Sequence, residues 1–145
     1  MLLPQCAYIA PTFEQAKRIA WSYCREFASA IPDAKFHETE LRIDLPGKER
    51  IWLLGAENPD RLRGLYLDYV VLDEYADIQE RLFPEIIRPV LAERNGGVLW
   101  LGTPRGYNRF GKFTRPLAKQ AWRMILSGMP VFTKHPIPVL FPKRN

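Results

Sequence analysis

Residues 67–77 read LDYVVLDEYAD, and the architecture follows from the middle of that run. Tyr69, Val70, Val71 and Leu72 are apolar, too few for a helix and bounded by polar residues, so they predict a buried parallel strand. Asp73 and Glu74 follow at once, at the expected carboxyl end of that strand. In open α/β sheets this is the edge where ligands bind. Two carboxylates there suit two tasks in nucleotide hydrolysis. One holds Mg²⁺ through its water shell, and the other orients and polarises a water for attack on a terminal phosphate. The same pattern also fits a strand followed by an acidic helix start, where carboxylates complement the helix dipole.

Outward from this strand the chain alternates short apolar runs with helical patterns. Residues 6–10 (CAYIA) predict a second buried strand, stopped by Pro11. Thr12 and Gln15 form a capping box. Phe13, Ala16, Ala20, Tyr23 and Phe27 then follow at spacings of three and four, which predicts one apolar face of a helix ending near Ser29. Lys17, Arg18 and Arg25 fall mostly off that face. Residues 36–45 (FHETELRIDL) and 51–54 (IWLL) flank a Pro-Gly turn and predict a β-hairpin on the edge of the sheet. Asn58-Pro59 opens a single helical turn that Gly64 closes. Arg63 stands eleven residues ahead of Glu74; it fits a surface arginine, or one that faces a phosphate on this chain or a neighbour.

Beyond Asp77, the spacing of Leu82, Ile86, Ile87, Val90 and Leu91 predicts a helix over 79–93, broken or kinked by Pro84 and Pro89. Asn95-Gly96-Gly97 marks a turn, and residues 98–101 (VLWL) predict another buried strand. Gly102, Thr103 and Pro104 come at its tip, as a plain turn or as an element whose hydroxyl senses a γ-phosphate. After Phe110 the pattern degrades: Leu117 to Leu126 fits one helix, the rest has no consistent period, and five prolines follow Arg115.

The chain has 145 residues, 47% of them hydrophobic, enough for one domain with a real core. No apolar run is long enough for a membrane span, and the N-terminus does not read as a signal peptide. Cys6 and Cys24 are too few for a disulfide framework and point to reduced thiols in a cytosolic compartment. His37 and His135 stand alone, as surface residues rather than metal ligands. The net charge of +5 is split: residues 1–93 hold 11 Lys and Arg against all 16 acids, net −5, and residues 94–145 hold 10 and no acid, net +10. That asymmetry suggests either nucleic-acid contact or a basic tail that is not packed.

In this order, YIAPTFEQAKRIAW, LRIDLPGKERIWLLGAENPDRLRG, LYLDYVVLDEYAD and LWLGTPRGYNRF resemble the ATPase domain of the large terminase subunit of tailed bacteriophages, over roughly residues 6–110. The resemblance implies an α/β, P-loop NTPase-like fold of the additional-catalytic-glutamate type, mostly parallel. It implies that Asp73 is the Walker B carboxylate on the Mg²⁺ side, acting through water, and that Glu74 is the catalytic one. Gly102, Thr103 and Pro104 match the motif that couples hydrolysis to movement, and Arg63 matches an arginine proposed to act in trans across the motor ring. The implied function is part of the ATP-driven motor that packages viral DNA. Its implied partners are double-stranded DNA, other large subunits in a ring, the small terminase subunit and the portal, in the cytoplasm of the bacterial host.

Two departures shape the expectation. No G-x-x-x-x-G-K-[ST] occurs in the 145 residues, so the Walker A cradle for ATP is missing. With no Asp or Glu after Glu93, a nuclease metal site cannot be built there. The chain therefore reads as an incomplete ATPase domain over 1–110 with a basic, proline-rich tail over 111–145. On its own it is expected to be inactive; a non-catalytic module that binds DNA or another subunit is the alternative. The acid-free ending after Phe110 also fits a shifted reading frame. Lacking the Walker A strand, the sheet is expected to expose an apolar edge.

Overall fold

The structure is a computed structural model that describes residues 3–102; the expectations for Thr103, Pro104 and the basic tail over 111–145 lie outside the described residues. Six strands form one sheet: β1 (Gln5–Ala10), β2 (Lys35–His37), β3 (Arg42–Asp44), β4 (Arg50–Gly55), β5 (Tyr69–Leu72) and β6 (Gly97–Trp100), in the order β2-β3-β4-β1-β5-β6. β1 pairs in parallel with β4 and β5, and β5 in parallel with β6. β2, β3 and β4 pair antiparallel. This is the mostly parallel α/β sheet that the apolar runs predict.

The expected hairpin lies at one edge of the sheet, its 36–45 stretch folding as two short strands, β2 and β3, rather than one. β3 and β4 are closed by the Lys48 N–H donating to the Leu45 carbonyl at 2.8 Å. β4 is an interior strand, held between β3 and β1. The outermost strand is β2, a short strand whose Lys35 charge discourages further pairing. Within residues 51–54, Leu53 is fully buried in the core beneath α1.

Helix α1 covers residues 13–29 as three unbroken pieces, Phe13–Ala16, a wide π turn at Lys17–Trp21, and Ser22–Ser29. The capping box is present: the Gln15 N–H donates to the Thr12 hydroxyl, and the Thr12 N–H to the Gln15 side chain, both at 3.2 Å. The buried face keeps Phe13, Ala16 and Ala20 of the predicted one and departs from it at Tyr23 and Phe27. Ala16, Ala20, Trp21 and Ala28 pack with Ala10, Leu41, Ile43 and Leu53, whereas Tyr23 and Phe27 are 62% and 76% exposed. A π turn adds a residue and rotates the helix beyond it, so the inward line runs through Ala20, Cys24 and Ala28. Small side chains there let the helix lie close on the sheet.

Helix α2 covers residues 83–92, again with a π turn (Phe83–Ile87) followed by Arg88–Ala92. The Arg88 N–H reaches back to the Phe83 carbonyl, immediately before Pro89. Proline has no N–H to donate and its ring crowds the carbonyl four residues back. The widened turn accommodates it, so the helix continues through Pro89. Ile86, Ile87, Val90 and Leu91 are buried, and the Phe83 ring meets the Trp100 ring edge-on with centroids 5.2 Å apart. Among the described residues no helix is long and apolar enough to cross a membrane.

Candidate functional site

The carboxyl edge of the parallel strands gathers the residues that the sequence singles out. β5 ends at Leu72, so Asp73 and Glu74 form its tip, and β6 runs alongside in register, Leu72 opposite Trp100. The Leu101 N–H donates to the Leu72 carbonyl at 2.8 Å, and the Tyr75 N–H donates to the Leu101 carbonyl at 3.1 Å. Those two bonds clamp the chain leading to Gly102 against the acidic tip. Asp73 and Glu74 are both half-buried.

The backbone turns sharply here. Glu74 sits at φ 44°, ψ 48°, in the left-handed region, before a single 3₁₀ turn at Tyr75–Asp77. β5 therefore does not run into an acidic helix start, the alternative that its sequence left open. For a residue with a Cβ that conformation costs about 1–2 kcal/mol, and such backbone is concentrated at functional sites. The Asp73 N–H is fixed by the Ile9 carbonyl at 2.8 Å. Its side chain is held at both oxygens: the Glu74 N–H donates to Oδ1 at 2.9 Å, and the Tyr8 hydroxyl donates to Oδ2. Sequence reasoning missed Tyr8, because its place beneath Asp73 depends on the register of two strands 65 residues apart. Burial first, then the hydrogen bond and charge of Asp73, push the Tyr8 phenol well above its ordinary pKa, so it remains a donor at neutral pH.

The other predicted site residues lie elsewhere or outside the description. Arg63 is 54% exposed in its side chain and pairs with Asp60, Nε to Oδ1, at 3.0 Å. It lines a shallow cleft of about 210 Å³ with Tyr66, Glu85 and Glu93. The turn before it (Pro59–Leu62) starts at Asn58, whose side chain makes no capping bond, and Gly64 follows at φ 81°. His37 is not solitary; its ring meets Asp44 at 3.0 Å. Cys6 and Cys24 are free; burial, with Asp68 adding at Cys6, raises both thiols and keeps them unreactive.

The donor set suits one kind of metal and lacks one kind of anion cradle. Among the described residues no three His, Cys, Asp or Glu side chains cluster as a resident metal site requires. Mg²⁺ arriving with a nucleotide needs less, since it keeps its waters and takes one or two carboxylates plus phosphate oxygens. Asp73 meets that demand, having lone pairs left on both oxygens. For the phosphates themselves, the N-terminus of α1 opens at the same edge, but the Glu57 carboxylate already accepts from the Phe13 N–H at 2.9 Å. Neither a Walker A motif in the sequence nor an open helix N-terminus at α1 supplies a cradle.

Comparison with known proteins agrees with this geometry. No family model matches the chain. The large terminase subunit of Thermus virus P23-45 is 32% identical, over 72% of this chain and 26% of its own length. The large terminase ATPase domain of Thermus phage P74-26 superposes with a TM-score of 0.64 at 32% identity, covering 76% of this chain and 51% of that domain. Over this matched stretch the chain is homologous to large terminase subunits. The large terminase of bacteriophage HK97 shares the fold, with a TM-score of 0.66 at 17% identity over 83% of this chain and 27% of that one. The sheet is thus the P-loop NTPase-like sheet of terminase ATPase domains. The chain spans about a quarter of the length of the curated relatives that it matches.

Proposed function

We propose that the chain is part of the ATPase of a viral DNA-packaging motor, supplying the Walker B and coupling elements. One observation carries this reading: the tips of β5 and β6 lie side by side at the carboxyl edge, Asp73-Glu74 on one and Gly102 on the other. Asp73 accepts from a water of the nucleotide's Mg²⁺. Glu74 orients and polarises the water that attacks the γ-phosphate, a general-base role worth about 10²–10⁴-fold in rate. Gly102, Thr103 and Pro104 sense the change at the phosphate and pass it on as movement. Arg63 acts toward a neighbouring subunit's nucleotide, which its exposure permits. The partners are double-stranded DNA, further large subunits in a ring, the small subunit and the portal, inside the bacterial host.

With no Walker A motif in these 145 residues and the α1 N-terminus taken by Glu57, the isolated chain is expected to hydrolyse ATP at no more than background rate. The test supplies the cradle. In the large terminase of Thermus virus P23-45, the aligned quarter is replaced by residues 3–102 of this chain. The chimera is expected to hydrolyse ATP, and Glu74→Gln to lower its kcat by at least about a hundredfold. Unchanged hydrolysis in the Glu74→Gln chimera would refute the assignment.

A further inference from the structure

Both oxygens of Asp73 are engaged by protein donors, and the two donors come from different parts of the chain. The Glu74 N–H is local and comes with the sharp turn. The Tyr8 hydroxyl comes from the neighbouring strand β1. In the β1–β5 register Tyr8 lies opposite Val71, and strand alternation puts Asp73 on the same face as Val71. Tyr8 therefore lies one step back along the sheet from the carboxylate, and its length lets it reach forward. Its ring packs against the cluster beneath α1, which limits where the hydroxyl can go. A carboxylate has about four lone-pair directions. With one taken on each oxygen, its plane is fixed and the remaining lone pairs have a set direction.

We propose that Tyr8 is a positioning residue, whose hydroxyl fixes the Asp73 carboxylate so that its free lone pairs meet the hydrated cation of the bound nucleotide. This rests on the metal-side role of Asp73 given above. Partners of this kind, one step behind a metal-side carboxylate, typically change metal affinity 10–100-fold when removed. Tyr8→Phe is the informative variant, because it keeps the ring and its packing and removes only the donor.

Two NMR measurements on the full chain separate this inference from the reading beneath it. The first needs no metal: the three-bond couplings that report the Asp73 χ1 angle. The wild type is expected to show one rotamer and Tyr8→Phe to show averaging, with Tyr66→Phe as a control that behaves as the wild type. The second uses Mn²⁺ alone as a probe and tracks amide broadening at residues 73–75. Broadening is expected in the wild type, at concentrations about tenfold higher in Tyr8→Phe, and not in Asp73→Asn. A single Asp73 rotamer and unchanged Mn²⁺ response in Tyr8→Phe would overturn the role of Tyr8 while leaving that of Asp73 intact. Broadening that persists unchanged in Asp73→Asn would overturn the metal-side role of Asp73 and the positioning role with it.

Discussion

Glu74 carries the clearest tension between stability and chemistry in the molecule. Its left-handed backbone costs about 1–2 kcal/mol, and a glycine would relieve that while losing about 0.5–1 kcal/mol to chain entropy. Glu74→Gly is therefore expected to be neutral or to raise stability by up to about 1 kcal/mol, read as the urea midpoint at constant slope. A loss larger than about 1 kcal/mol would show that contacts of the side chain, rather than its chemistry, keep glutamate there. At this scale the sequence was informative about identity and silent about conformation. An Asp-Glu pair after four apolar residues announces a strand tip. Whether the next residue enters a helix or turns left-handed depends on Leu101 reaching across to Tyr75, which no local pattern encodes. Tyr8 was hidden for the same reason: only strand register brings it to Asp73.

Among the elements, the hairpin and α1 make separable predictions. Asp44 on β3 faces Arg42, His37 and Arg50, at 3.0, 3.0 and 3.3 Å. Burial by itself would raise its carboxyl pKa; the Arg42 guanidinium, the His37 ring and Arg50 together outweigh that and hold it below the ordinary value. A depressed folded pKa stabilises the protein above the unfolded pKa of about 3.9 and ceases to do so as pH falls through the folded value. The wild type is thus expected to exceed Asp44→Asn by on the order of 1 kcal/mol at pH 7, the gap closing below about pH 4. A gap that stays constant down to pH 2 would contradict this. On α1, Phe27→Ser is expected to change stability by less than about 0.5 kcal/mol, because the ring is 76% exposed. Ala20→Leu should cost about 1–3 kcal/mol by overpacking the sheet contact, and thermal melts of both variants decide it. Helical spacing alone puts both positions on the same apolar face and does not separate them. Phe13, Ala16 and Ala20 were legible as one face; the π turn that displaces Tyr23 and Phe27 was not, since nothing in KRIAW distinguishes a wide turn from an ordinary one.

For the whole molecule, charge is divided unevenly along the chain. The sequence put the change of sign after Glu93, with Arg94 as the first of ten cations. The structure takes Arg94 out of that set: its side chain is only 8% exposed, paired with Asp68 at 3.0 Å and donating to the Leu3 carbonyl at 3.1 Å. It fastens the end of α2 to the starts of β1 and β5. Residues 3–102 then carry 12 Lys and Arg against 16 acids, so the sheet repels phosphate, while residues 103–145 carry nine cations and no acid. If this chain grips double-stranded DNA, the grip comes from those nine. Six or more phosphate contacts lower affinity by about 10³ or more between 50 and 200 mM salt. Fluorescence anisotropy with a labelled duplex is expected to show that steep slope, identically in wild type and Glu74→Gln, because the proposed function assigns Glu74 to the nucleotide and not to DNA. A shallow slope, or a duplex affinity that changes with Glu74→Gln, would place the DNA contact on the acidic sheet and break the division of labour between strand tips and basic residues.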